Sequence, residues 1–289
     1  IHVQPATGMN ADSVAEYVIN AALTLLKNIP LMHQETLIGN WPRTSISSRE
    51  LRGKTIGLLG FGLIAKKVST LAKVFDAKII AYDPYLDPSV GNQFDTKLLD
   101  INDVFRMSDV ISIHLPLTEN TKNLLNYNTI KKMVKQPIII NSSRGSIVNE
   151  EDLLRAYEEK LISGFALDVY NTEPAPKSFL EKIKKSTNCI LTPHVAGVTD
   201  ESNKRVSEFI ANAVKEFFNE GFVFNQPKDI VSGDFHWFKS YGNIAIIVAG
   251  DCTGHGVSGA FMSIIGLSLL SELVGNQNVN VTRYFAPMT

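Results

Sequence analysis

Cysteine is scarce: Cys189 and Cys252 are the only two among 289 residues, they lie far apart, and no CxxC pair occurs. A disulfide framework is thereby excluded, and a reducing compartment is implied. Net charge is equally slight, because 28 basic side chains meet 29 acidic ones and leave −1. No overall field gathers nucleic acid or anionic lipid, so any anionic ligand has to be met locally. Long apolar runs are missing too. The longest mostly apolar stretch, Val257 to Leu270, is too short and too serine-rich to span a bilayer, and no basic, apolar leader opens the sequence. No membrane partner is expected, and a cytoplasmic location is. Without a secretion signal, the sequons at Asn141 and Asn280 carry no weight.

What remains is an ordinary globular composition, 44% hydrophobic and 20% charged, long enough for roughly two domains at ~150 residues each. Ser13-Val-Ala-Glu16 reads as a capping box before apolar residues at helical spacing, which predicts a helix over 13–27. Asn40-Trp-Pro and the polar residues up to Arg49 read as a linker. From Lys54 the sequence alternates apolar runs (TIGLLG, KIIAYD, DVISIHL, PIIIN, SGFALDV, NCILT) with amphipathic helical stretches. Six strands in this rhythm predict an α/β fold with a doubly wound, Rossmann-type parallel sheet, and runs apolar throughout fit strands covered on both faces. A helix over 199–218, stopped by Gly221, closes the region. The predicted layout is 1–50, a helix and linker that the family resemblance given below makes a connecting helix with the remnant of a substrate-binding domain; 51–195, a dinucleotide-binding domain; 196–221, a return helix; and 222–289, a short α+β fragment that the same resemblance makes foreign.

GLLGFGLIA follows the first strand and opens the first helix, with Gly60, Gly62 and Ala65 at the three small-residue positions of a dinucleotide fingerprint. Gly60 allows the tight turn, Gly62 lets backbone N–H groups approach a pyrophosphate, and Ala65 allows close helix–strand packing. Asp83 ends the next strand 21 residues after Gly62, the spacing of a carboxylate that accepts from a ribose 2′-hydroxyl. The plain alternatives are turn glycines and a turn-capping acid. An anionic Asp83 would repel a 2′-phosphate, so NAD is expected over NADP.

In open α/β sheets, ligands bind outside the carboxyl ends of the strands. Arg144 follows PIIIN, Glu173 follows SGFALDV and His194 follows NCILT, so topology carries all three to the rim of the glycine loop. Each singly could be a surface charge or turn residue. Together a guanidinium, a carboxylate and an imidazole make a hydride-transfer set: Arg144 holds a substrate carboxylate, His194 moves the proton, and Glu173 orients the imidazole. His114 shares the rim, where a packing role beside the cofactor suits it better than catalysis. Asp168 is either a buried, hydrogen-bonded acid or an acceptor for a nicotinamide carboxamide.

GLLGFGLIA, AYDPY, SIHLPLTENT, NSSRGSIVNEEDL, LDVYNTEP and LTPHVAGVT, in this order, resemble the NAD-dependent D-isomer-specific 2-hydroxyacid dehydrogenases, the family that includes phosphoglycerate dehydrogenase. The resemblance covers residues 1 to about 218. It implies hydride exchange between NAD and a small D-2-hydroxy or 2-keto acid, with Arg144, Glu173 and His194 catalytic and Asp83 on the ribose, in a homodimer to which the helix near 13–27 contributes. Such proteins normally begin with more of a flavodoxin-like substrate domain, so impaired turnover is expected of a chain without it. PKDIVSGDFHWF and VAGDCTGHGVSGAFMSIIGLSLL instead resemble the start of a metal-dependent protein phosphatase. That likeness implies Asp234 and Asp251 as ligands of Mn²⁺ or Mg²⁺, without the later acidic motifs that complete such a site. The alternative it raises is a serine/threonine protein phosphatase, or a signalling protein carrying an NAD-binding module.

Overall fold

The computed structural model describes residues 5–184, 186–220, 234–241 and 244–251, with side chains through residue 213. Residues 6–211 form one compact unit. In chain order its elements are α1 (Ala11–Leu26), α2 (Ile29–Leu37), β1 (Thr55–Leu59), α3 (Leu63–Lys73), β2 (Lys78–Tyr82), α4 (Ser89–Asn92), β3 (Lys97–Leu98), α5 (Ile101–Met107) and β4 (Val110–Ile113). There follow α6 (Tyr127–Ile130), β5 (Ile138–Asn141), α7 (Glu150–Glu158), β6 (Gly164–Leu167), α8 (Lys177–Ile183), β7 (Cys189–Leu191) and α9 (Asp200–Glu220). A separate antiparallel hairpin pairs β8 (Asp234–Tyr241) with β9 (Ile244–Asp251).

The seven strands of the large sheet run in the order β3-β2-β1-β4-β5-β6-β7, all parallel. Six of them are the predicted runs. The seventh, β3, is two residues long, too short and too polar to announce itself in the sequence. Alternate side chains feed opposite faces. Ile138 and Ile140 join a core built with α1 and α3, whereas Ile139 joins the core on the other face, with Leu153 of α7 and Phe179 of α8. This two-sided burial is why the strands are apolar without alternation.

Helix α1 buries ten of its sixteen residues and packs on α3, β5, β6 and β7, so it belongs to the same core as the sheet. Its start corrects the capping-box expectation. Asn10 is the N-cap, without a side-chain cap hydrogen bond, and the hydroxyl of Ser13, inside the helix, is hydrogen-bonded to that of Thr199 instead. Helix α2 was not foreseen, because it buries no residue at all and so carries no apolar stripe.

Between β1 and β4 the connectivity reverses, since β2 and β3 lie on one side of β1 and β4 to β7 on the other. The loops after these two strands diverge and leave a crevice at the carboxyl edge of the sheet. Glycine at position 60 is required there. Its φ is +89°, and a Cβ would lie 2.7 Å from the His114 carbonyl oxygen of the loop that follows β4.

Candidate active site

The crevice holds a cleft of about 170 Å³, lined by Thr7, Gly8, Asn10, Gly62, Ala65 and His114, among others. Gly62 caps α3 with no side-chain hydrogen bond, and no acidic residue stands in the first turn. The first backbone N–H groups of a helix lack intrahelical partners, so this end of α3 is electropositive and free to meet an anion. A Cβ at Gly62 would meet nothing within 4 Å: the space above the helix end is open. Ala65 is fully buried and lets α3 lie close to the sheet.

Asp83 sits at the end of β2, beside this loop. One carboxylate oxygen accepts from the Phe61 N–H at 3.0 Å and the other from the Tyr85 N–H at 3.0 Å. The acid is thereby fixed to the glycine loop, with lone pairs left on both oxygens. A dinucleotide therefore fits the residues present: glycine-lined space, an uncapped helix end and a fixed ribose-height acid.

His114 is half-buried against the cleft, and its Nε2 lies 3.0 Å from the Ser112 hydroxyl. Burial pulls its imidazole from 6.5 down to about 4, so it is neutral at neutral pH, an apolar-leaning wall and no proton donor. The unfolded chain binds a proton between those two values and the folded chain does not. Stability supplied by the neutral ring is thus present above 6.5 and is lost as the pH falls through about 4. For a half-buried ring the loss is about 2 kcal/mol. His114→Gln, which still reaches Ser112, is expected to shrink the drop in Tm between about pH 7 and about pH 4.5; an equal drop in both proteins would remove this assignment.

Glu173 and His194 meet directly. Glu173 Oε2 lies 2.8 Å from His194 Nδ1, with side-chain exposures of 28% and 48%, and Glu173 Oε1 accepts from the Tyr170 N–H. His194 occupies the left-handed region, φ +57°, an uncommon place for a residue with a Cβ. Asp168 holds it there. The Asp168 carbonyl accepts from His194 N–H, Oδ1 accepts from the Thr192 hydroxyl and the Val195 N–H, and Oδ2 accepts from the Ala196 N–H. Asp168 is 1% exposed; of its two readings the geometry is that of the buried acid, spent on the His194 loop.

Arg144 lies exposed at the head of a 3-10 turn over Gly145–Ile147, its guanidinium donating to the Ser143 carbonyl. Backbone contact, not its side chain, joins it to the other two residues. Gly145 touches the Tyr170–Asn171 peptide so closely that a Cβ would overlap the Tyr170 carbonyl, which presses the Arg144 loop against the loop that carries Glu173. Buried Glu150, at the start of α7, accepts from the Asn171 N–H at 2.6 Å and fixes the same loop from below.

The segment Thr7 to Asn10 was missed as part of the cleft. Its one signal was Gly8, which has φ +82° and no room for a Cβ beside Leu63. Asp234 and Asp251 are paired across the β8–β9 ladder, but their side chains, and all of 252–289, lie outside the described residues. Among the described residues no group of three or more His, Cys, Asp or Glu could hold a metal ion. The phosphatase alternative rests on residues outside those described. Nor is any helix among the described residues long and apolar enough to cross a membrane.

Residues 19–196 match the model of the D-isomer specific 2-hydroxyacid dehydrogenase, NAD binding domain. The chain is 34% identical over 217 residues to hydroxypyruvate reductase of Thermotoga maritima, covering 75% of this chain and 70% of that protein. It is 34% identical over 207 residues to D-3-phosphoglycerate dehydrogenase of Synechocystis, where it spans 37% of the relative's length. Among solved structures, D-lactate dehydrogenase with NAD⁺ from Lactobacillus jensenii aligns with a TM-score of 0.68 at 27% identity, covering 75% of this chain and 69% of that one. D-lactate dehydrogenase from Aquifex aeolicus, complexed with NAD and lactic acid, aligns with a TM-score of 0.65 at 30% identity, over 73% and 67% of the two chains.

Proposed function

Because the chain belongs to the D-isomer specific 2-hydroxyacid dehydrogenases, we propose that it exchanges a hydride between NAD and a small D-2-hydroxy or 2-keto acid. The observation that carries this reading is the 2.8 Å pair of Glu173 and His194 on the rim that also bears the glycine loop. Relatives named hydroxypyruvate reductase, glyoxylate reductase and D-lactate dehydrogenase support the substrate class.

The roles follow from the side chains. Gly60, Gly62 and the open end of α3 hold the pyrophosphate, and Asp83 accepts from a ribose hydroxyl. NAD, when bound, supplies or takes up the hydride. Arg144, planar and always charged, grips the substrate carboxylate through two parallel N–H donors. Glu173 occupies His194 Nδ1 and so leaves Nε2 to move the proton, giving it to the carbonyl oxygen in reduction and taking it from the hydroxyl in oxidation. A homodimer belongs to this reading. Its support is α2, which buries nothing, with Leu37, Ile38 and Trp41 exposed by 72%, 73% and 80% at its end; sedimentation that finds only monomer removes it.

Titration with NADH, read as energy transfer from protein tryptophan, tests the cofactor assignment. Asp83→Arg loses the ribose acceptor and the anchor of the Phe61 N–H together. Its Kd for NADH is expected to rise by about 30-fold or more, the effect of one to two charge-assisted hydrogen bonds, while NADPH binding improves. Equal affinity of both proteins for NADH would sink the reading of Asp83.

A further inference from the structure

Two hydrogen bonds outside the reacting groups tie one face of α1 to the two ends of the loop that carries His194. Tyr17 OH lies 2.8 Å from Thr192 Oγ1, just before His194. Ser13, one helical turn earlier and on the same face of α1, has its hydroxyl 2.7 Å from Thr199 Oγ1, just after it. From these contacts we infer that Tyr17 and Ser13 are positioning residues for His194, clipping the 192–199 loop to α1 at both ends. The inference rests on His194 as the proton carrier.

The direction of the first chain is fixed by proton counting. Thr192 has one hydroxyl proton and gives it to Asp168 Oδ1 at 2.5 Å, because the carboxylate can only accept. Tyr17 must then donate to Thr192. Burial pushes the Tyr17 phenol up to about 12, so it keeps its proton at neutral pH. The order is Tyr17 to Thr192 to Asp168, and Asp168 in turn holds the N–H groups of His194, Val195 and Ala196 through its carbonyl and carboxylate. Thr199 is fixed at the other end as well, by reciprocal bonds with Ser202.

A clip of this kind is needed because His194 is strained and half-exposed. A left-handed φ on a residue with a Cβ persists only when its surroundings over-determine it, and an imidazole 48% exposed has few packing contacts to hold it. The sheet fixes the start of the loop through β7, and the clips fix the rest. Neither Tyr17 nor Ser13 needs to touch substrate for this.

The full chain, with Tyr17→Phe and Ser13→Ala singly and together, tests the inference. Each change removes one hydroxyl and leaves the carbon packing in place. Acylation of His194 by diethyl pyrocarbonate, followed by peptide mass spectrometry, reads the loop, with exposed His33 as the internal reference. In the double variant His194 is expected to react about fivefold faster relative to His33, as its Nδ1 pair with Glu173 loosens, with NADH affinity and Tm near wild type. Reduction of hydroxypyruvate is expected to lose about tenfold in kcat at nearly constant KM, the scale of a misplaced catalytic group, and Ser13→Thr should restore the Ser13 part. An unchanged His194 rate in the double variant overturns the inference. So does a rise shared by His33 and accompanied by a large fall in Tm, which would mark general loosening. If instead His194→Asn retains turnover, the proton-carrier reading falls, while the acylation rates still decide whether α1 places the loop.

Discussion

Replacing His194 by asparagine is expected to lower kcat for hydroxypyruvate or glyoxylate reduction by about a thousandfold, while the Kd for NADH changes by no more than a few fold. The size follows from the role: a positioned general acid–base contributes about 10²–10⁴ to rate, and neither His114 nor Asp168 is placed to replace it. His114 is kept neutral down to about pH 4 by burial and its Nε2 is taken up with Ser112, and Asp168 is committed to backbone N–H groups. Asparagine is the informative substitute because it tolerates the left-handed backbone at this position. Alanine would add a strain of about 1 kcal/mol and mix folding with chemistry. With side-chain exposure of 48%, removal of the ring leaves no cavity, so Tm should stay within a few degrees. Turnover within tenfold of wild type would end the assignment. Loss of NADH binding along with turnover would show that the loop had collapsed.

How much of this could be read in the amino-acid order depends on sequence distance. The glycine loop and Asp83 belong to one β-α-β unit, so 21 residues of spacing were enough to relate them. The strands were legible because burial on both faces demands unbroken apolar runs, and the rim residues were legible because a parallel sheet sends every strand end to one edge. β3 was not, being Lys97–Leu98 alone. Helix α2 was not, because a helix that buries nothing has no stripe to show. The start of α1 was misplaced by a motif match. Ser13 and Glu16 have capping-box spacing, yet Ser13 bonds across 186 residues to Thr199. The same kind of distance hid the support of His194: Tyr17 and Thr192 are 175 residues apart, and no local pattern encodes such a pair. The two readings of Asp168 could be weighed only once its three carboxylate hydrogen bonds were visible.

Gly145→Ala is expected to destabilise the protein by about 3 kcal/mol or more, a fall in Tm of roughly 10 °C for a unit of this size. No unusual φ is involved. The cause is contact: the added Cβ would overlap the carbonyl of Tyr170 and lie 2.6 Å from the Asn171 nitrogen. Those are backbone atoms, which cannot rotate aside as the end of a side chain can. Nor can the peptide retreat cheaply, because Asn171 N–H is bound to buried Glu150 and the Tyr170 hydroxyl bonds to the carbonyls of Leu167 and Thr192. Gly62→Ala is the internal control. A methyl there meets nothing within 4 Å, so Tm should hold while NADH binding weakens, since the methyl enters the space above α3. The two alanines thus separate a glycine needed for packing from one needed for a ligand. In whatever fraction of Gly145→Ala folds, the Arg144 loop has moved away from the loop of Glu173, so turnover should fall further than the loss of folded protein explains. A Tm within two or three degrees of wild type would mean that the two loops are not pressed together, and the geometric link between Arg144 and the Glu173–His194 pair would go with it.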